Sequence, residues 1–149
     1  MTAARSLEVF SETVQERGTE AAIAYLNAGV PHRYTAVYRL DGQILRNVIL
    51  HDKAGEMRPE FLESVAMADS FCQFVLRDGV FRTDDSARDT RLDGHPYQGV
   101  MVCYHGVPLM DNKGDLWGTL CHFDVQQLGL ADDEFDLLQR AARRLPAYL

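Results

Sequence analysis

The chain has 149 residues, 46% of them hydrophobic and 25% charged, and a net charge of −7. A chain of this length forms one domain, residues 1–149, whose core buries roughly 68–70% of the unfolded surface. Only Lys53 and Lys113 are lysines, and the arginines are scattered apart from Arg140, Arg143 and Arg144; this argues against a nucleic-acid partner, which demands clustered basic side chains.

The spacing of Leu7, Phe10 and Val14 predicts a helix, closed by Gly18. Thr19 is placed to cap a short second helix through Leu26, closed by Gly29. Pro31 turns the chain extended. Tyr34, Ala36, Tyr38 and Leu40 share one strand face, Asp41-Gly42 signals a hairpin, and Ile44 to Leu50 returns. Asp52 to Arg58 reads as a loop and Pro59 as the first turn of a helix. Asp69 or Ser70 is expected to cap a further helix carrying Phe71, Phe74 and Val75, ended by Gly79. Val80 to Thr83 reads as a short strand. Asp84 to Tyr97 is a polar, irregular stretch of a length that in compact domains often serves as a lid. From Tyr104 to Asp124, two apolar runs flank Asp111-Asn112-Lys113-Gly114, the pattern of a hairpin. The last helix has Phe135, Leu138, Ala142 and Leu145 on one stripe, acids at its start and arginines at its end, matching the helix dipole. Ala131 precedes it without an acceptor side chain, although Glu134 supplies the other half of a capping box. The expected fold is α+β around a central antiparallel sheet of five or six strands.

Three cysteines leave no complete disulfide framework, no apolar run reaches the roughly 18 residues of a membrane span, and the opening residues carry no leader pattern. A cytoplasmic protein with free thiols is expected. If the last hairpin has an even-membered loop, cross-strand pairs sum to an odd number. Cys103, His105, His122 and Asp124 then share one sheet face, and Tyr104, Cys121 and Phe123 the other. Pocket-lining polar groups is the first reading of the former set, plain core the second and a zinc or iron centre the third. No phosphate loop, nucleophile elbow or H-E-x-x-H motif is present.

The words Tyr104-His105-Gly106-Val107-Pro108-Leu109 and Gly118-Thr119-Leu120-Cys121-His122-Phe123-Asp124 resemble the last hairpin of a GAF domain, a family of small-molecule sensor modules. Ser70-Phe71-Cys72, followed by Val75 and Gly79, resembles that family's S-F-C helix start. Thr83 to Arg91 resembles its v-x-D-a-x-x-D-x-R segment. The likeness runs in order from Ser70 to Leu138; residues 1–69 match in pattern of elements. It departs at Gln126-Gln127 and Ala131, where family members often carry Pro-Arg and a Ser cap.

The resemblance implies a PAS-related architecture with terminal helices on one sheet face and, on the other, a ligand pocket beneath the Asp84–Tyr97 loop. It also implies dimerisation through those helices. The expected ligand contacts are Phe71, Cys72, Phe74, Asp85, Asp89, Arg91, Tyr97, Cys103, His105 and His122; Asp85 or Asp89 is alternatively a cap for a helical turn, with Arg91 pairing to hold the loop down. Ligand and cofactor are unnamed by these motifs. With no room expected for an output domain, the readout falls to a homodimer or a separate output protein. One branch of the family reduces free methionine sulfoxide with cysteines, and a helix start would lower the Cys72 thiol pKa; a buried packing role is the favoured reading of Cys72. Another branch attaches bilins through a Cys-His pair, which Cys121-His122 resembles inside a strand. A ligand-free dimerisation or adaptor module is the remaining class.

Overall fold

Ser6 accepts the Val9 amide at 3.2 Å and starts α1 (Leu7–Arg17) in the computed structural model, which describes residues 6–57 and 62–149. Gly18, at φ 94°, ends α1 and donates its amide to Val14 O. It also stands at the cap of α2 (Thr19–Ala28), so Thr19 is the first helical residue rather than the cap. β1 (Tyr34–Asp41) and β2 (Ile44–Asp52) follow as an antiparallel pair. Their two-residue turn is Gly42-Gln43, one position beyond the Asp41-Gly42 expected, with the required positive φ at Gly42 (61°). The helix expected from Pro59 lies outside the described residues. A short strand absent from the sequence reading, β3 (Ser64–Ala66), then pairs with β2.

α3 (Cys72–Asp78) begins with Phe71 in the cap position and no side-chain cap. Neither Asp69 nor Ser70 caps it, because a 3-10 turn over Met67–Asp69 intervenes and the Ser70 hydroxyl donates back to Met67 O at 3.0 Å. Gly79 closes α3 at φ 89°. β4 (Phe81–Thr83), β5 (Cys103–Met110) and β6 (Leu116–Asp124) complete a six-stranded sheet of order β3-β2-β1-β6-β5-β4, antiparallel throughout. α4 (Asp132–Arg144) and a final turn, Leu145–Tyr148, end the chain.

The last hairpin reaches the expected face assignment by different arithmetic. Met110 pairs with Leu116, so the loop has five residues, Asp111–Asp115; the shift between Leu109–Gly118 and Met110–Leu116 leaves Trp117 as an extra residue. An odd loop plus one bulged residue restores the odd sum, and His105 lies opposite His122, Cys103 opposite Asp124. A bulge at Val48 likewise turns β2, so that Leu45 and Ile49 serve opposite faces.

Both sheet faces are covered. On one, Phe10, Ile23, Leu26 and Leu138 of α1, α2 and α4 pack on Val37, Val107, Leu109 and Leu120. On the other, Phe71, Cys72 and Val75 around α3 pack on Tyr34, Ala36, Tyr104, Cys121 and Phe123. Each large apolar side chain so buried contributes about 1.5–3 kcal/mol. Phe10 and Leu138 are fully buried against the sheet, so the apolar stripes that suggested a dimer surface are already used within the protomer. A glutamate at either place is expected to unfold the chain rather than merely to separate copies. Among the described residues no helix is long and apolar enough to cross a membrane.

Ala131 holds the extended cap conformation before α4 (φ −61°, ψ 143°) and offers no side-chain hydrogen bond. Ala131→Ser is therefore expected to raise stability by about 1 kcal/mol, read as a higher urea midpoint. An unchanged midpoint would mean that Asp133, which already accepts the Glu134 amide at 2.9 Å, does the capping alone.

Candidate ligand-binding site

The site is assembled on the face of the sheet away from α1, α2 and α4. β1 supplies Tyr38, β5 supplies Tyr104 and β6 supplies Phe123; the start of α3 brings Ser70, Phe71 and Cys72 over them. Leu62 and Val65 close one side, Tyr97 and Met101 the other. They line a partly open pocket with a cavity volume of about 60 Å³. None of the described residues lining it is charged. Aromatic rings supply much of the wall: Phe71 meets Tyr104 edge-on at 5.7 Å, and Tyr104 stacks with Phe123 at 6.5 Å.

Local sequence explains the wall. Gly106 leaves room for the Tyr104 ring, since a β-carbon there would stand 2.6 Å from the ring and hydroxyl. The Tyr104 hydroxyl lies 3.1 Å from Cys72 Sγ, which is also 3.2 Å from Thr119 Oγ1. Tyr38 donates its hydroxyl to Leu62 O at 2.9 Å and so fixes that wall. Burial pushes the Cys72 and Cys121 thiols and the Tyr104 phenol up, Cys121 and Tyr104 far above their usual ranges, and burial takes the Cys103 thiol up to about 12. All three cysteines are free, buried and protonated at neutral pH; at Cys72 burial outweighs the hydrogen bonds that favour its thiolate. Reaction of the native protein with a thiol-specific disulfide reagent is expected to be slow at pH 8 and to become fast only on unfolding in urea. Rapid labelling of one thiol in the folded protein would contradict this burial.

The loop over the cavity is held by its own charges. Asp85 accepts the Ala87 amide and Asp89 the Arg91 amide, so the two acids cap the short turns Ser86–Arg88 and Thr90–Leu92. The Arg91 guanidinium bonds Asp89, holding its carboxyl down at about 2, and donates to Arg82 O at 2.8 Å. Ser86, which no sequence signal singled out, is fully buried; its hydroxyl donates to Met101 O (2.7 Å) and accepts the Gly99 amide (2.9 Å). His95 lies against Phe71 at 4.7 Å, and burial lowers its pKa.

Of the expected contacts, the structure brings Phe71, Cys72 and Tyr97 to the cavity wall. Phe74 packs one turn further along α3 against Phe81 at 4.9 Å. Asp85, Asp89 and Arg91 face an open, polar depression beside Arg82, Arg88 and Asp132. Cys103, His105 and His122 lie on the opposite sheet face. Tyr38, Leu62, Val65, Ser70, Met101, Tyr104 and Phe123 are the wall residues that the expected contacts lacked.

The opposite face holds a separate buried polar cluster. His32, His105 and His122 are at most 1% exposed. The His32 ring lies 5.4 Å from His105 and 5.9 Å from His122. Thr35 Oγ1 sits 2.6 Å from His122 Nδ1 and accepts from Asn27 at 2.8 Å. Arg82 donates to His105 Nδ1 at 3.3 Å; His105 Nε2 stands 3.2 Å from Asp84 Oδ1 in an orientation that makes no hydrogen bond. Among the described residues neither ring nitrogen of His32 has a hydrogen-bond partner. Burial depresses His32, and burial with the neighbouring His32 and Arg82 takes His105 down to about 3. Among the described residues no three His, Cys, Asp or Glu groups are gathered around a metal position. Asp124 closes the hairpin structurally, accepting the amides of Arg33 (2.8 Å) and Val125 (2.6 Å).

No family model matches the chain, and no curated protein matches it in sequence. Solved structures do match. The GAF domain of an Acinetobacter phosphoenolpyruvate-protein phosphotransferase aligns at a TM-score of 0.74 and 14% identity, over 95% of this chain and 89% of that one. A free methionine-R-sulfoxide reductase from Neisseria meningitidis, solved with its substrate, aligns at 0.75 and 14% identity, over 99% and 93%. The phycocyanobilin-bound GAF domain of a cyanobacterial phytochrome aligns at 0.70 and 14% identity, over 98% and 97%. What these proteins share with the chain at such identity is the fold. The chain has the fold of a GAF domain.

Proposed function

We propose that this protein is a small-molecule-binding sensory module of the GAF type, acting in the cytoplasm without chemistry of its own. The observation that carries the reading is the partly open apolar pocket between α3, the 84–102 segment and the sheet, on the face that the terminal helices leave free. Ligand binding would press on the walls that come from the loop, and a change there would reach the outer surface through β5 and β6, which also carry α4. A homodimer or a separate output protein would then read that change. The outward face of α1 carries Glu8, Glu12 and Glu16, and the end of α4 carries Arg140, Arg143 and Arg144, a charge pairing that suits contact between copies.

The second reading is a thiol-dependent reductase, which has the fold of the Neisseria enzyme in its favour. The raised thiol pKa values weigh against it, since the thiolate is the reacting species. Melting curves with a dialysable small-molecule cell extract test the binding reading. The expected result is a higher midpoint, by the amount that binding to the native state alone confers, without consumption of free methionine sulfoxide in the presence of a dithiol. Turnover that disappears in Cys72→Ser would replace this reading with the reductase.

A further inference from the structure

We infer that the cavity takes a small uncharged molecule of about four heavy atoms, an inference that rests on the binding reading above. Size sets the first limit. At about 60 Å³ the pocket, which is partly open to solvent, has room within it for about four waters and is less than half the roughly 150 Å³ that admits benzene.

Charge sets the second. No Asp, Glu, Lys, Arg or His is among the described residues that line the wall. The acids of the loop are committed elsewhere: Asp89 to Arg91 and to the backbone, Asp85 to the Ala87 amide and Arg88. The thiol of Cys72 and the phenol of Tyr104 hold their protons, because burial opposes both ionised forms.

Magnitudes decide between ligand classes. A ligand of four heavy atoms reaches a Kd of tens of micromolar at best. An ion left without a counter-charge in an apolar wall forfeits that affinity to lost hydration. A neutral molecule of the same shape keeps it. The Cys72–Tyr104 pair, bonded to each other at 3.1 Å, leaves at most one proton to donate to a carbonyl or hydroxyl oxygen of the ligand; the aromatic faces of Phe71, Tyr104 and Phe123 take its alkyl part. The zwitterion of an amino-acid sulfoxide has neither the size nor the charge for this wall.

Matched isosteres test the inference. Acetamide against acetate, and isopropanol against isopropylammonium, are titrated at pH 7 while the amide resonances of Phe71, Cys72, Tyr104 and Phe123 are followed. The neutral member of each pair is expected to shift these resonances saturably, with a Kd at least tenfold below that of its charged partner. Cys72→Leu, which fills the cavity from α3, is expected to abolish the shifts. Val65→Phe, filling it from β3, does the same and serves if the first variant fails to fold, as judged by the rest of the spectrum. A charged member that binds as tightly as its neutral partner would overturn the selection by charge while leaving small-molecule binding intact. Absence of saturable shifts from both neutral probes would overturn the inference as well.

Discussion

Stability is expected to fall steeply as the pH drops from 6.5 towards 5, before most carboxylates titrate. The cause is the histidine cluster under the terminal helices. His105 has its pKa pushed down to about 3 from 6.5, and His32 is lowered too, both chiefly by burial. In the unfolded chain these rings bind protons below 6.5; in the folded protein they take them up only at lower pH, His105 at about 3. The unfolded state then holds more protons, and stability declines with falling pH by about 1.4 kcal/mol per unit for each ring that stays neutral. At pH 5 His105 alone accounts for a loss of about 2 kcal/mol, against a total of 5–15 kcal/mol for an ordinary domain. The effect is complete above 6.5 and is lost through the window down to about 3. The carboxylates held low by arginines, Asp52 and Asp89, weaken the fold only below their unfolded pKa near 4. Urea melts at half-unit intervals between pH 7.5 and 5 check the slope. His105→Gln is expected to reduce it by close to one proton, and a flat profile in the wild type would mean that the cluster titrates normally.

Gly118→Ala is expected to be the most damaging single-methyl addition in the sheet. A β-carbon at this position would stand 1.9 Å from the backbone oxygen of Tyr38, and 3.0 Å from Arg39 Cα. Gly118 lies in β6 between Arg39 of β1 and Leu109 of β5, beside the Trp117 bulge. The neighbouring atoms are main chain of a central strand and cannot rotate away, so β1 and β6 must part. A loss of about 3 kcal/mol is expected, at the upper end of overpacking effects. Gly106→Ala supplies the contrast. Its β-carbon meets the ring of Tyr104, a side chain that can turn at the expense of its contact with Cys72 and of the cavity wall. That substitution is expected to cost about half as much and to alter the cavity. Chemical denaturation of the two variants, side by side, checks the order; equal losses would show that β1 and β6 tolerate separation.

The hairpin from Tyr104 to Asp124 was legible because a glycine-bearing polar turn separates two apolar runs, whereas the face that holds the cavity was not. Both faces of β5 and β6 are buried, so alternation carries no contrast between inside and outside. His105 and His122 looked like pocket-lining polar groups and are instead packed beneath helices, while Tyr104 and Phe123, one residue away, form the wall. The bulges at Trp117 and Val48 could not be read from pattern, since each inserts a single residue whose neighbours remain compatible with either register. The capping roles open to Asp85 and Asp89 were legible from Asx spacing, a local matter of two residues. The role of Ser86 was not, because its partners Gly99 and Met101 come from the far end of the loop. Cys72 shows the limit of a positional argument: standing at the start of α3 favours the thiolate, but complete burial pushes its pKa the other way.

The central claim is that a small molecule occupies the cavity behind α3. Native mass spectrometry tests it most directly when wild type and Cys72→Leu are prepared in parallel and each native mass is compared with its denatured mass. The expected result is a non-covalent adduct of small mass on the wild type that is absent from the filled variant. An adduct that persists unchanged in a folded Cys72→Leu, or a wild-type protein that never carries one after exposure to small-molecule extract, would contradict the account.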